Sequence, residues 1–306
     1  MKGIKKIYGE ILHKPVLLKE VIEALELKPC KIIVDCTVGL GGHAEAILDK
    51  ITPGGKLIGI DKDSEALEVA RDRLSRFGEA VIFAQDNFDN LRAIFERLGI
   101  VKADGFLFDL GVSSLQLDKA ERGFSFRFSG PLDMRMDKDG EVTARRLVNE
   151  SGEAELDWVL SNYGEERFHR RIARAIVTAR KEEAIETTEQ LVDIILRAVP
   201  YKGKHGRVHP ATRSFQALRI AVNGELSSLD KALNEAVELL NLSGIICVIS
   251  YHSLEDRIVK NKFKGFKAAG ILELLYKKPL TAGESEIEDN PRSRSAKLRA
   301  ARRIKV

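Results

Sequence analysis

The sequence predicts a doubly wound α/β fold interrupted by an all-helical insertion. Three observations predict it. Four apolar, β-rich runs alternate with helical segments in the first third of the chain, at Ile32 to Asp35, Lys56 to Ile60, Ala80 to Ala84 and Gly105 to Leu110. A fifth buried run, Gly244 to Ser250, follows only after more than a hundred residues. The stretch between them carries helical rather than alternating patterning. Strands alternating with helices read as βαβ units and a parallel sheet.

Taken in order, Val16, Leu17, Val21, Ile22, Ala24 and Leu25 fall at helical spacing behind Pro15, a residue tolerated at a helix start. The four runs follow. In the intervening stretch, Tyr163 to Arg180 reads as a helix with Phe168, Ile172, Ala175 and Ile176 on its apolar stripe. Thr187 to Gln190 fits a capping box, and Leu191, Val192, Ile194, Ile195, Ala198 and Val199 continue at helical spacing behind it. Breaks at Gly130-Pro131 and across Pro200 to Pro210 punctuate the segment. The expected organisation is a discontinuous catalytic domain over 1–114 and 216–306, with a helical substrate-recognition domain over 115–215.

The chain has 306 residues, 44% of them hydrophobic, which is enough for a full core and above the usual length of one domain. No apolar stretch reaches the roughly 18 residues of a membrane span, and the basic stretch Met1 to Glu10 lacks the apolar centre of a secretion signal. A cytoplasmic protein without a membrane partner is expected. Cys30, Cys36 and Cys247 sit in or beside apolar runs without metal-ligand spacing and read as buried thiols. Among the six histidines only His205 and His209 stand four apart, in a loop context, so no metal is expected. The net charge is only +4. Its distribution says more, because Arg292, Arg294, Lys297, Arg299, Arg302, Arg303 and Lys305 face one acid, Asp289. Interleaved Leu298 and Ile304 suggest a strand with one basic face. Arg167, Arg170, Arg171 and Arg174 form a second basic group, but Glu165, Glu166, Glu182 and Glu183 lie close enough to pair with them.

Chemistry concentrates where strands end. Asp35 to His43 runs from a strand end through a glycine-rich turn into a helix, where Gly39, Gly41 and Gly42 admit a ligand to the backbone and free amides favour an anionic group. Asp61 lies twenty residues beyond Gly41, at the end of the second strand, placed to accept from both hydroxyls of a ribose. The pair also fits the dinucleotide fingerprint G-x-G-x-x-A. Asp35 tilts the reading, since methyltransferases of the doubly wound class carry an acid at the end of strand one; Thr37 departs from that pattern, which more often has glycine there. After the third strand, Asp86 can accept from an adenine amine and Phe88 can stack on the ring, whereas Asn87 reads better as a helix cap. Asp109 ends strand four, in position to accept hydrogens from an attacking amine. Tyr251, His252 and Ser253 close strand five on the same edge and can hold a base that has left its stack; Ser253 can also cap the next helix with Asp256 at its third position.

Longer motifs carry a resemblance. They are His13 to Glu20, Gly41 to His43, Asp109 to Ser114 with Gln116, Arg122 to Phe126, Pro131 to Met136, His209 to Arg219, His252 to Arg257 and Asn290 to Arg299. In this order they resemble the RsmH (MraW) family of bacterial 16S ribosomal RNA (cytosine-N4)-methyltransferases. The resemblance implies a Rossmann-like class I methyltransferase core using S-adenosyl-L-methionine, and a cytosine in the decoding region of the small ribosomal subunit as target. It implies cofactor contacts at Gly41, Gly42, His43, Asp61, Phe88, Asp109 and Gln116. Catalytic roles are expected for Asp109 and His252, and substrate contacts for Tyr251, Ser253, Arg292 and Arg294. Tyr251 stands where phenylalanine is more usual. The competing readings are a non-catalytic RNA-binding assembly factor on the same fold and an NAD-dependent oxidoreductase.

Overall fold

The computed structural model describes residues 14–200 and 209–305. The stretch Met1 to Glu10, His13 and His205 lie outside the described residues. In chain order the first half contains α1 (Leu18–Ala24), β1 (Ile32–Asp35), α2 (Gly42–Ile51), β2 (Lys56–Asp61), α3 (Ser64–Leu74), β3 (Val81–Gln85), α4 (Leu91–Leu98) and β4 (Ala103–Asp109). Then come α5 (Ser114–Asp118), α6 (Ala144–Glu150), α7 (Glu153–Gly164), α8 (His169–Ala179), α9 (Thr188–Ala198) and α10 (Thr212–Asn223). The last part holds α11 (Glu225–Leu239), β5 (Leu240–Ser250), α12 (Ser253–Ala268), β6 (Leu272–Leu274), α13 (Glu284–Asp289) and β7 (Lys297–Arg303). The chain divides into two compact units, 1–113 with 226–306, and 114–225. No helix among the described residues is long and apolar enough to cross a membrane.

The first unit is built on a seven-stranded sheet in the order β3-β2-β1-β4-β5-β7-β6, parallel from β3 to β5. β7 runs antiparallel between β5 and β6. Alternation along each strand sends neighbouring residues to opposite faces. Ile33, Leu57, Leu107, Cys247 and Ile249 pack with α1, α2 and α3, while Val34, Ile58, Phe106, Phe108 and Val248 pack with α4, α11 and α12. Both faces are therefore apolar and covered, which is why the strands read as continuous hydrophobic runs. Phe95, Phe106 and Phe108 are fully buried, each contributing about 1.5–3 kcal/mol of transfer free energy. Cys36 and Cys247 are buried as expected, but Cys30 is exposed, because it stands in the loop before β1 rather than in the strand.

The C-terminal basic run does form a strand, and its charges are largely consumed inside the unit. Leu298 is buried, whereas Ile304 lies beyond β7 and is half exposed. Arg299 binds both carboxylate oxygens of Asp256, at 2.7 and 3.3 Å, and Lys297 approaches the same group at 3.6 Å. Arg302 pairs with Glu26 at 2.5 Å, and Arg303 donates to the carbonyls of Val237, Glu238 and Leu240. The strand with one basic face is thus present, with Lys297, Arg299, Arg302 and Arg303 partnered inside the unit.

The second unit is helical. Its α9 opens on the capping box expected at Thr187 and Gln190. The helix read from Tyr163 instead starts at His169: Glu165 takes a left-handed conformation that ends α7, and Ile172, Ala173 and Ile176 form the buried stripe of α8. Arg174 pairs with Glu153 at 3.5 Å rather than with the glutamates nearer in sequence. The motifs Arg122 to Phe126 and Pro131 to Met136 are scaffolding here: the buried Arg122 donates to the carbonyls of Arg135 and Met136, and Asp133 holds Arg135 with both carboxylate oxygens. The unit ends at Glu225 instead of 215, because α10 packs on α7 within it.

Candidate active site

β1 and β4 are neighbours in the sheet although β2 and β3 lie between them in sequence, so the winding reverses at this pair. A doubly wound sheet opens a crevice at that reversal, beyond the carboxyl ends of its strands. Asp35 ends β1, Asp61 ends β2 and Asp109 ends β4. Three carboxylates thus converge on the crevice, and Asp35 feels both of the others. Burial first, then repulsion from Asp109 and Asp61, raises its carboxyl to about 8, against an opposing hydrogen bond from the Thr37 amide.

The glycine-rich turn fixes this arrangement. Gly41 caps α2 with φ 79°, a backbone that a side chain would strain. At Gly42 a Cβ would come within 2.7 Å of Pro15 Cγ, so the turn is seated on the N-terminal motif. That motif is tied in turn to the second half of the chain: the Leu17 amide donates to Glu286, and Asn290 Nδ2 donates to the Lys14 carbonyl. Gly39 N–H donates to Asp61 Oδ2 at 2.9 Å, and Asp63 N–H to Asp61 Oδ1 at 3.0 Å. A carboxylate has about four lone-pair sites, so two remain for a pair of hydroxyls. Burial nevertheless raises Asp61 to about 6.

Thr37, a departure from the usual glycine, has a structural reason: its hydroxyl accepts the Asp109 amide at 2.7 Å and stitches the turn to the end of β4. The Asp109 carboxylate, mostly buried, accepts from the Tyr251 hydroxyl at 2.7 Å and lies 3.5 Å from His43 Nδ1. His43 Nε2 sits 3.0 Å from the Val16 carbonyl, which can only accept, so this nitrogen carries the proton. Burial lowers the imidazole to about 4, leaving it neutral with a lone pair on Nδ1. Nδ1 and Asp109 Oδ2 then form a pair of acceptors suited to a cationic N–H group.

The Tyr251 ring lies against Gly111, whose φ of 96° would strain any side chain there. Tyr251, His252, Ser253, Arg294 and Lys297 line a cavity of about 230 Å³. Tyr251 thus belongs both to the carboxylate cluster and to the cavity. The helix cap expected at Ser253 lies one residue earlier. His252 Nδ1 accepts from the Glu255 amide, and Glu255 accepts from the amides of Tyr251 and His252. Nδ1 is thereby committed to the cap, so His252 is not placed to act as a base through that nitrogen. Its buried Nε2 makes no well-directed hydrogen bond among the described residues but lies 3.2 Å from Glu255 Oε1, so this nitrogen too faces the cap.

Phe88 is half-buried and meets Phe108 edge-on at 5.8 Å. Asn87 caps the turn at Phe88–Asn90 and donates to Ser228, and Asp86 accepts from Asn90, so Asn87 is structural and Asp86 only partly free. Arg292 and Arg294 are exposed on the short turn before β7. Gln116 is buried on α5 in the second unit. Sequence reasoning missed Thr37 as a fastener and Pro15 as the seat of Gly42; the signal for both lay in the spacing of the N-terminal motif and the turn.

Comparison with known proteins places the whole chain in one family. The MraW methylase family matches residues 10–304. A ribosomal RNA small subunit methyltransferase H from Heliobacterium mobile is 48% identical over 311 residues, covering 96% of this chain and all of the relative. Proteins of the same name from a Sulfurihydrogenibium species and from Geobacter sulfurreducens are each 49% identical, covering 95% of this chain and 99% of their own length.

Proposed function

Because the chain belongs to the MraW methylase family, we propose that it methylates the exocyclic N4 amine of a cytosine in small-subunit ribosomal RNA, at the crevice between β1 and β4. It is an S-adenosylmethionine-dependent rRNA methyltransferase. The finer assignments, N4 of cytosine, a site in the decoding region, the ribosomal subunit as partner and action in the cytoplasm, are the proposal.

The observation that carries the cofactor reading is the convergence of Asp35, Asp61 and Asp109. A dinucleotide would bring two phosphate charges to a crevice where burial and acid crowding already hold Asp35 protonated at neutral pH, whereas a sulfonium and an ammonium relieve that crowding with opposite charge. When bound, S-adenosylmethionine supplies an electrophilic methyl on a sulfonium whose departure leaves a neutral thioether. Asp61 would hold the ribose hydroxyls, Phe88 the adenine, and the α2 amino end at Gly41, Gly42 and His43 the carboxylate. The acceptor pair of His43 Nδ1 and Asp109 would take the ammonium, with Gln116 a further cofactor contact.

The remaining work falls to Asp109 and the cavity. An aromatic amine is a poor nucleophile because its lone pair is delocalised into the ring. An acceptor on its hydrogens favours the pyramidal, attacking form, and Asp109 is the acceptor at this edge. The amine sheds one proton as its new bond to carbon forms, and Asp109 or solvent takes it. Tyr251 orients that carboxylate through its hydroxyl and walls the cavity with its ring. The cavity takes the unstacked base, with Ser253, Arg292 and Arg294 on its flanking phosphates. His252 acts as a positioning residue through its cap.

The test is methyl transfer from labelled S-adenosylmethionine to small subunits lacking the modification, with nucleoside analysis. N4-methylcytidine, abolished by Asp109→Asn, is the expected product. A methyl on another base or another atom overturns the N4 assignment, and no transfer with intact cofactor binding leaves the assembly-factor reading.

A further inference from the structure

Four of the C-terminal cations, Lys297, Arg299, Arg302 and Arg303, are spent on internal partners, which leaves open what holds the RNA strand on either side of the target base. α12 starts at the cavity, since Ser253 is both its first residue and part of the cavity wall. From Ser253, the exposed side chains Arg257, Lys260, Lys264 and Lys267 recur at helical spacing. At 100° per residue these five positions fall within an arc of about 80° on one helix face. From Ser253 to Lys267 the helix rises about 21 Å at 1.5 Å per residue.

The three lysines of this face are uncompensated. No acid occurs from Arg257 through Leu272. Lys260, Lys264 and Lys267 have no ion-pair partner among the described residues. The remaining lysine of the helix, Lys262, points elsewhere and pairs with Asp230 at 2.9 Å. Asn261, Gly265 and Ala268, exposed beside the stripe, add no charge and little bulk. The opposite face, with Leu254, Val259 and Phe263, is anchored in the core, so the stripe is held rigidly.

We propose that the exposed face of α12 is a phosphate track for the single-stranded RNA flanking the target base, leading from the cavity along Lys260, Lys264 and Lys267. The proposal rests on the rRNA reading above. Evenly spaced cations on a rigid element, starting at a base-sized cavity and with only Asn261 beside them able to reach a base edge, match backbone tracking with little sequence readout.

The test compares wild type with K260Q/K264Q/K267Q, measuring KM and kcat for methyl transfer to unmodified small subunits over a range of salt. A second triple variant, K28Q/K50Q/K56Q, removes the same charge from exposed positions elsewhere. The track variant should raise KM about tenfold or more, leave kcat and cofactor affinity near wild type, and flatten the salt dependence of binding by about 2 in log–log slope, at roughly 0.7 per lost phosphate contact on a single strand. An unchanged KM and slope, or an equal effect from the control triple, overturns the track. So does binding of wild type to phosphatidylglycerol vesicles that the track variant loses while its KM stays unchanged, which reassigns the face to a membrane surface. If wild type itself transfers no methyl to RNA, the underlying reading fails instead.

Discussion

Asp35→Asn is the substitution whose effect can be worked furthest from the structure. Asp35 is 1% exposed, and burial with two carboxylate neighbours holds its carboxyl at about 8 against an ordinary 3.8. Since the folded value is the higher one, the folded protein binds this proton more tightly than the unfolded chain. The resulting stabilisation is complete below 3.8 and is lost as pH rises through about 8. A separation of about four pH units at about 1.4 kcal/mol each gives on the order of 5 kcal/mol across the window, roughly 4 kcal/mol of it lost between pH 5 and pH 9. Asparagine has the same shape and keeps an oxygen for the Thr37 amide, but it does not titrate. Urea unfolding of the cofactor-free protein between about pH 5 and about pH 9 should therefore show Asp35→Asn gaining on wild type up to about pH 8 and levelling beyond it. Parallel stability curves for the two proteins would refute the carboxylate-crowding argument, and with it the electrostatic case for a cationic cofactor.

Three further outcomes follow from the same geometry. Asp61 stands at about 6, so calorimetric affinity for S-adenosylmethionine should fall up to about tenfold per unit as pH drops below that value, and Asp61→Asn should bind weakly with a flat profile. Thr37→Val removes the acceptor of the Asp109 amide and should cost about 1–3 kcal/mol in urea unfolding, with a lower kcat, whereas Thr37→Ser should restore both. Tyr251→Phe keeps the ring on Gly111 and loses only the hydroxyl that donates to Asp109; kcat should stay within about tenfold of wild type. Tyr251→Ala, which also removes the cavity wall, should lose about a hundredfold or more, and single-turnover assays separate the two.

The five parallel strands were legible because each is buried on both faces and reads as an unbroken apolar run. The order of the sheet was not, since nothing in the residues of β4 says that it returns beside β1 rather than beyond β3. β6 spans only Leu272–Leu274 and leaves no period to detect. The end of the helical unit was misplaced because α10 is apolar enough for either unit, and only its packing on α7 decides. At the site, Asp35, Asp61, Asp109 and Tyr251 were visible as polar residues closing apolar strands. The pairing of Arg299 with Asp256 and of Arg302 with Glu26 was invisible, because it joins residues 43 and 276 positions apart. The acid-free run from Arg257 through Leu272 is legible in the sequence as charge, but only the helix of α12 shows that its lysines share one face.

β7 lies between β5 and β6, and β6 has no other strand beside it. Strand β7 therefore closes three things at once: the edge of β5, the seat of β6 and, through Lys297, one wall of the cavity. A change that loosens β7 should open the sheet edge and the cavity together, so stability and the site share one fastener.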